Sequence, residues 1–431
     1  MMKNCEIVNY ALDSLKNKGA QQAQCIGTFS TTWELTALSG QIELLRTIND
    51  ETSIDMKGYF DNKMGGIAIS TSELSAIDEA AQSCLDNSKG AKADETPAMN
   101  DEAVVKVFGT PAKEPDLEKL INRTNEFLDK SREMYPNVLI RQMIVLYTTE
   151  ESIYKNTHGV DITEYEDVYS VSIMFSGFDG DLNSSFNTYG FAVKNLDTPF
   201  MDVALVSKRL AEAEKMVHTH KYPEKVVGTL IVTPHCLKDF LGQLMNAYAS
   251  PNALVGGGSK WQNALDTKVA CDNFSLYSKP LDENMAYNVH YTGDGFIAEN
   301  QTIIENGVLK GMFADHYTAA KTGLPRRKSG GRFFTVPNGD KTLDEIIASV
   351  EDGIIINRFS GGHAGASGDL SGISKNSFYI KNGKLDKAAR ETMISVNLSD
   401  LLMNIDAISV ETVNDGSSDL PYIAVKNVTI L

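Results

Sequence analysis

The amino-acid sequence predicts an α+β fold, with an N-terminal half of two helix–strand–helix units and a glycine-loop-rich, mainly β C-terminal half. Three observations carry this expectation. Short stretches place apolar residues at helical spacing, longer stretches between them alternate apolar with polar residues, and glycine clusters gather beyond about residue 226.

Taken in order, residues 3–18 read as a helix, with Ile7, Val8, Ala11, Leu12 and Leu15 on one face and Gly19 as a stop signal. Residues 22–69 read as strands, with Asp61-Asn62-Lys63 as a turn before Gly65-Gly66-Ile67-Ala68-Ile69. Ser70 to Lys89 reads as an amphipathic helix opened by Ser and Thr cap candidates. Residues 88–116, rich in Lys, Asp, Glu, Pro and Ala, read as an exposed connection. A helix over 116–134 ends before Pro136, and strands at 138–155 and 160–177 are joined by the turn Asn156-Thr157-His158-Gly159. Thr198 to His218 reads as a further helix, before Pro223. The expected domains are therefore 1–225 and 226–431, and the order of elements hints at a duplication of about 1–90 and 116–225. Glycines punctuate the second part at 256–258, 330–331, 361–362 and 365–372.

The chain has 431 residues, 42% of them hydrophobic and 23% charged, enough for a large core at roughly 150 residues per domain. Its net charge of −17 argues against broad contact with nucleic acid or anionic membrane. The longest basic cluster, Arg326-Arg327-Lys328 with Lys321 and Arg332 nearby, reads as a solvated loop or as a local contact for an anion or a peptide carboxylate. Five widely spaced cysteines without a CxxC pair predict neither a disulfide framework nor a zinc ribbon. With no signal-like N-terminal segment and no run of 18 apolar residues, the expectation is a cytoplasmic protein.

A zinc peptidase motif of the H-E-x-x-H kind places two histidines one helical turn apart, with a glutamate to activate water. None of the seven histidines here is followed by Glu. His235 and Asp239, four apart on a helix expected from Pro234, are the weak metal candidates, and His218-x-His220 is weaker still. Gly365-Ala366-Ser367-Gly368 is not a G-x-S-x-G elbow, and Gly256-Gly257-Gly258-Ser259 lacks the Lys of a phosphate-binding loop. The segment Gly361-Gly362-His363-Ala364-Gly365-Ala366-Ser367-Gly368-Asp369 reads either as a long turn or as the wall of a peptide cleft. Its glycines let a ligand approach the backbone, and it displays His363, Ser367 and Asp369.

Four stretches of the second half resemble the TldD/TldE (PmbA) family. They are Leu254–Ser259 running to Leu265–Val269; Tyr291–Gly295 with Ile304–Gly311 and Asp315–Gly323; Gly361–Asp369 with Phe378–Lys384; and Leu398–Ile408. In the first half, Asn156-Thr157-His158-Gly159-Val160 and Gly65–Ala68 agree more thinly. Catalytic TldD-type chains carry an extended HExxxH motif and a cysteine near the C-terminus. Here the comparable stretch Pro234–Leu244 has no such motif, no cysteine follows Cys271, and the tail Ser417–Val425 is similar to the TldE/PmbA ending. The resemblance implies a metal-free, non-catalytic subunit that assembles with a TldD-like, zinc-bearing catalytic partner to cut unfolded or extended peptides. The family label "modulator of DNA gyrase" accompanies it. The implied cleft residues are Gly361, Gly362, His363, Gly365, Ser367 and Asp369 with Gly256, Gly257, Gly258 and Ser259. The alternatives are a stand-alone homodimeric peptide-binding or regulatory protein, and a peptidase with a non-standard site using His235, Asp239 or His363.

Overall fold

The structure is a computed structural model that describes every residue except 1, 97, 222–224, 329–330 and 332; the expected roles of Pro223, Gly330 and Arg332 lie outside the described residues. In the first half the strands are β1 (Gln22–Leu38), β2 (Gln41–Phe60), β3 (Lys63–Ile69), β4 (Val105–Phe108), β5 (Val138–Asn156), β6 (Asp161–Asp179), β7 (Leu182–Asn183) and β8 (Asn187–Val193). They form one sheet in the order β3-β2-β1-β5-β6-β4, with β7 and β8 also paired to β6. The helices are α1 (Asn4–Asn17), α2 (Leu74–Lys89), α3 (Leu117–Met134) and α4 (Val206–Lys215).

Strands β1, β2, β5 and β6 have 17 to 20 residues, so each runs for roughly 60 Å. That length lets one sheet carry two helix pairs. The register of β1 on β5 is unbroken from Gln24↔Asn156 to Leu38↔Gln142, so residues of equal parity on β1 share a face. On that face Ala23 and Cys25 pack with Ile7, Leu15, Ile77 and Ala81 of α1 and α2, while Leu35 and Ala37 pack with Phe127 of α3 and Leu210 of α4. The β5–β6 turn forms as expected: Asn156 Oδ1 accepts from the amides of His158 (2.9 Å) and Val160 (3.1 Å), and Gly159 takes φ +85°.

Local expectations fail in three places. The helix expected from Ser70 starts at Leu74, and its N-cap is Glu73, with no capping side chain. The connection over 88–116 contains β4, which pairs in parallel with β6. The helix expected over 198–218 is a short 3-10 turn at Phe200–Asp202 followed by α4, because Ala204 takes φ +50° and breaks the run.

The second half adds β9 (Val226–Val232), α5 (Pro234–Leu244), α6 (Pro251–Val255), β10 (Leu276–Ser278), β11 (Gln301–Glu305), β12 (Val308–Leu309), α7 (His316–Thr322), β13 (Phe334–Thr335) and α8 (Leu343–Ala348). The chain continues with β14 (Asp352–Ile356), β15 (Arg358–Gly361), β16 (Asp369–Lys375), β17 (Ser377–Lys381), β18 (Lys384–Ala389), β19 (Thr392–Asn397), α9 (Leu398–Met403), β20 (Ile405–Asn414) and β21 (Asp419–Ile430). These strands make a second, mixed sheet in which β21 is the hub, paired with β9, β13, β19 and β20. The apolar face of α5, with Cys236, Leu237, Phe240, Leu241 and Leu244, is buried in the core of this half.

A strap from the second half crosses the face of the first sheet that the helices leave open. Carboxylates two residues apart on β6 accept amides two residues apart on the strap: His290 N–H donates to Glu164 Oε1 (3.0 Å) and Asn288 N–H to Glu166 Oε1 (2.9 Å). His290 Nδ1 also meets Glu164 Oε1 at 2.6 Å, and Gln24 Nε2 donates to the Gly293 carbonyl at 3.1 Å. The ring of Tyr154, fully buried, lies where a Cβ on Gly295 would collide with it, so this position requires glycine. Among the described residues no helix is long and apolar enough to cross a membrane.

Candidate functional site

Helix α5 begins with Pro at its first turn and continues directly into a π-helical turn, Met245–Ala249, that carries Tyr248. Tyr248 is fully buried and ties the two glycine loops together. Its backbone carbonyl accepts from the hydroxyl of Ser259, which in turn accepts from Trp261 N–H (2.9 Å). Its own hydroxyl accepts from Ser399 Oγ (3.1 Å) and donates to the carbonyl of Ser367 (3.3 Å). A Cβ on Gly258 would stand 3.7 Å from the Cβ of Ala366, so the 256–259 and 361–369 loops lie side by side.

Each predicted residue takes a distinct place in this wall. Gly361 ends β15 opposite Gly372 of β16, where a side chain would strike the Ser371 carbonyl. Gly362 and Gly365 face open space, with no heavy atom within 4 Å of a Cβ position. Gly368 is buried at φ +79°, packed against the Tyr248 hydroxyl. Gly256, Gly257 and Gly258 are exposed, and Gly257 takes φ +69°. Ser367 and Asp369 are held by Asn397, whose Nδ2 donates to the Ser367 carbonyl and to Asp369 Oδ1, both at 2.9 Å. That amide and the Ser367 hydroxyl hold the exposed Asp369 carboxyl below its ordinary range. His363 is exposed and bonded to Gln243 of α5.

Through Tyr248 the structure thus brings together the two loops, 256–259 and 361–369, that hold the ten predicted residues. Sequence reasoning missed the residues that assemble them: Tyr248, Gln243, Asn397 and Ser399. Only Asn397 carried a signal, since Asn before an apolar helical run is an N-cap pattern, and its Oδ1 does accept from Ser399 N–H (3.0 Å).

The weak metal candidates form no comparable centre. His235 is half-buried with its ring 5.5 Å from that of Tyr189, and burial pushes its pKa down. Partial desolvation pushes the Asp239 carboxyl up. A catalytic zinc site takes three protein ligands. Among the described residues no group of three or more His, Cys, Asp or Glu side chains is placed to hold a metal ion. His218 Nε2 is 2.8 Å from Asp179 Oδ2, and His220 uses its backbone N–H to bond Ala388.

The basic cluster is largely partnered within the chain. The Arg327 guanidinium donates to the Lys310 carbonyl, Lys328 pairs with Glu299 (3.1 Å) and Lys321 with Asp94 (2.9 Å). Arg326 stacks 3.7 Å over the ring of Phe296. All five cysteines are free thiols.

The sequence family described as the PmbA/TldA metallopeptidase C-terminal domain matches residues 225–431. A metalloprotease PmbA homolog of Haemophilus influenzae is 22% identical over 429 residues, covering 94% of this chain and 90% of its own. A metalloprotease of Methanothermobacter thermautotrophicus is 21% identical over 247 residues, 54% of this chain and 53% of that one. In fold, the chain is similar to the crystal structure of TldE from Thermococcus kodakarensis (TM-score 0.79, 18% identity, 99% of each chain). It is equally similar to a candidate modulator of DNA gyrase from Bacteroides thetaiotaomicron (TM-score 0.80, 20% identity, 100% of this chain and 99% of that one). Together these matches show that residues 225–431 belong to the PmbA/TldA metallopeptidase C-terminal domain family and that the whole chain shares the α+β fold of its TldE and PmbA-type relatives.

Proposed function

We propose that this chain is the metal-free, non-catalytic subunit of a TldD/TldE-type zinc peptidase, and that the wall organised by Tyr248 lines the path of an extended peptide. The observation that carries the reading is the placement of that wall at the end of α5. This helix is the stretch comparable to the one on which TldD-type chains bear their zinc motif, and here it offers only His235 and Asp239. Open glycine backbone, one exposed imidazole and one exposed carboxylate suit main-chain recognition of an unfolded polypeptide. Zinc supplied by a TldD-like partner would polarise the scissile carbonyl; this chain's residues would hold the peptide and exclude folded substrates.

The test is the zinc content of the purified chain by mass spectrometry, with a peptide-cleavage assay run with and without chelator. The expected result is no stoichiometric zinc and no cleavage alone, with cleavage on adding a TldD-like chain. Stoichiometric zinc with chelator-sensitive cleavage by this chain alone would overturn the proposal.

A further inference from the structure

The amide of Gln243 fixes the protonation pattern of His363. Ala364 N–H donates to Gln243 Oε1 at 3.2 Å. A backbone N–H can only donate, so the oxygen of this amide faces Ala364 and its NH2 group faces the imidazole. Gln243 Nε2 lies 3.2 Å from His363 Nδ1. An amide NH2 donates and does not accept, so Nδ1 is the acceptor and carries no proton. The neutral ring therefore holds its proton on Nε2.

His363 is exposed, and its neighbours Gly362 and Gly365 leave open space on either side. The ring thus presents a fixed N–H donor from a loop whose glycines admit another backbone. The Nδ1 lone pair is taken by Gln243, and Nε2 is protonated.

We propose that His363 is the residue of this wall that reads the peptide: its Nε2–H donates to a main-chain carbonyl oxygen of an extended polypeptide, and Gln243 is the positioning residue that keeps it a donor. This rests on the peptide-binding reading above. A donor in this place selects an acceptor oxygen and is indifferent to the side chains on either side of it. A terminal carboxylate offers the same acceptor chemistry.

Two measurements test it on the full chain. Nitrogen-15 NMR of the imidazoles reports the tautomer directly. The expected spectrum has His363 almost wholly in the Nε2–H form, and Gln243→Leu lets it relax to the tautomer mixture of a free imidazole. A dominant Nδ1–H form in the native chain overturns the assignment, whatever peptides do. The second measurement is binding of a fluorescein-labelled, unstructured alanine–serine peptide, with a free or amidated C-terminus, to the chain with its TldD-like partner.

Loss of one hydrogen bond predicts that His363→Phe weakens binding roughly three- to tenfold. His363→Gln, which restores an N–H near the Nε2 position, recovers most of it. Equal loss with both peptide termini identifies a main-chain carbonyl; loss confined to the free-carboxylate peptide overturns that choice. Unchanged binding in His363→Phe overturns the proposal. If the native complex binds neither peptide while the tautomer is as expected, the peptide-path reading fails and the Gln243–His363 geometry stands.

Discussion

Two glycines four positions or fewer apart in one loop do different physical work. At Gly368 the backbone is left-handed, and a Cβ would stand 1.8 Å from the Tyr248 hydroxyl; at Gly365 there is no positive φ and no neighbour within 4 Å. Gly368→Ala is therefore expected to cost about 1–3 kcal/mol and to release both loops from Tyr248. Gly365→Ala should stay within about 0.5 kcal/mol of the native chain. Urea unfolding midpoints decide both, and equal costs would refute this division of roles. Asn397→Ala should cost about 1 kcal/mol, since it removes the cap of α9 and the amide that holds Ser367 and Asp369. The glycines, His363, Ser367 and Asp369 were legible in the sequence because glycine clusters and polar loop residues are local signals. Tyr248 and Gln243 were not, because each looks like one more residue of an apolar helix until the fold brings a loop from more than 100 residues away.

At the scale of elements, the strap on β6 predicts a pH dependence. Desolvation, reinforced by Glu164, Glu150 and Asp167, pushes the Glu166 carboxyl up to about 7. A carboxyl raised in the folded state stabilises the fold when protonated. Its contribution is complete below the ordinary glutamate range near pH 4.5 and is lost as pH rises to about 7. Glu166→Gln keeps the oxygen that accepts from Asn288 and removes the charge. It is expected to stabilise the chain above pH 7 by no more than about 3 kcal/mol and to flatten the slope between pH 5 and 7. Thermal melts across that range check it, and an unchanged slope would count against Glu166 as the titrating group. The long strands were visible as sustained alternation, whereas β4 and β8 were not. Val105–Phe108 is too short to show a period, and in Asn187–Val193 a glycine interrupts the aromatic pattern of Tyr189 and Phe191.

At the scale of the whole molecule, α4 is the piece shared by both halves. Leu210 and Ala213 face the core of the first sheet, while Glu212 accepts from Arg209 Nη1 (2.6 Å) on its own helix and from Asn357 Nδ2 (2.9 Å) of the second half. Arg209 is buried, so Glu212→Ala strands its charge and is expected to destabilise the protein by about 3 kcal/mol. The double change Arg209→Met with Glu212→Leu should recover most of that loss, measured by calorimetry. The α+β class was legible because composition and periodicity are summed over many residues. The face-to-face placement of the strap was not, because Glu164 and Glu166 read as ordinary solvent-facing residues of a strand.

The hub position of β21 has a consequence for how the protein is made. Its partners include β9, where Ile423 lies beside Val232 and Ile430 beside Val226, nearly 200 residues earlier in the chain. The second sheet therefore cannot close during synthesis until residues 419–430 have left the ribosome. Contacts of such high sequence separation fold slowly, and the apolar edges of β9 and β19 wait unpaired meanwhile. The first half waits less: its β1–β2 pair is a local hairpin, and its β1–β5 pairing needs only the residues up to 156. The nascent chain thus passes through a stage with one ordered sheet and one open one, and that stage is where chaperone binding or aggregation competes with folding.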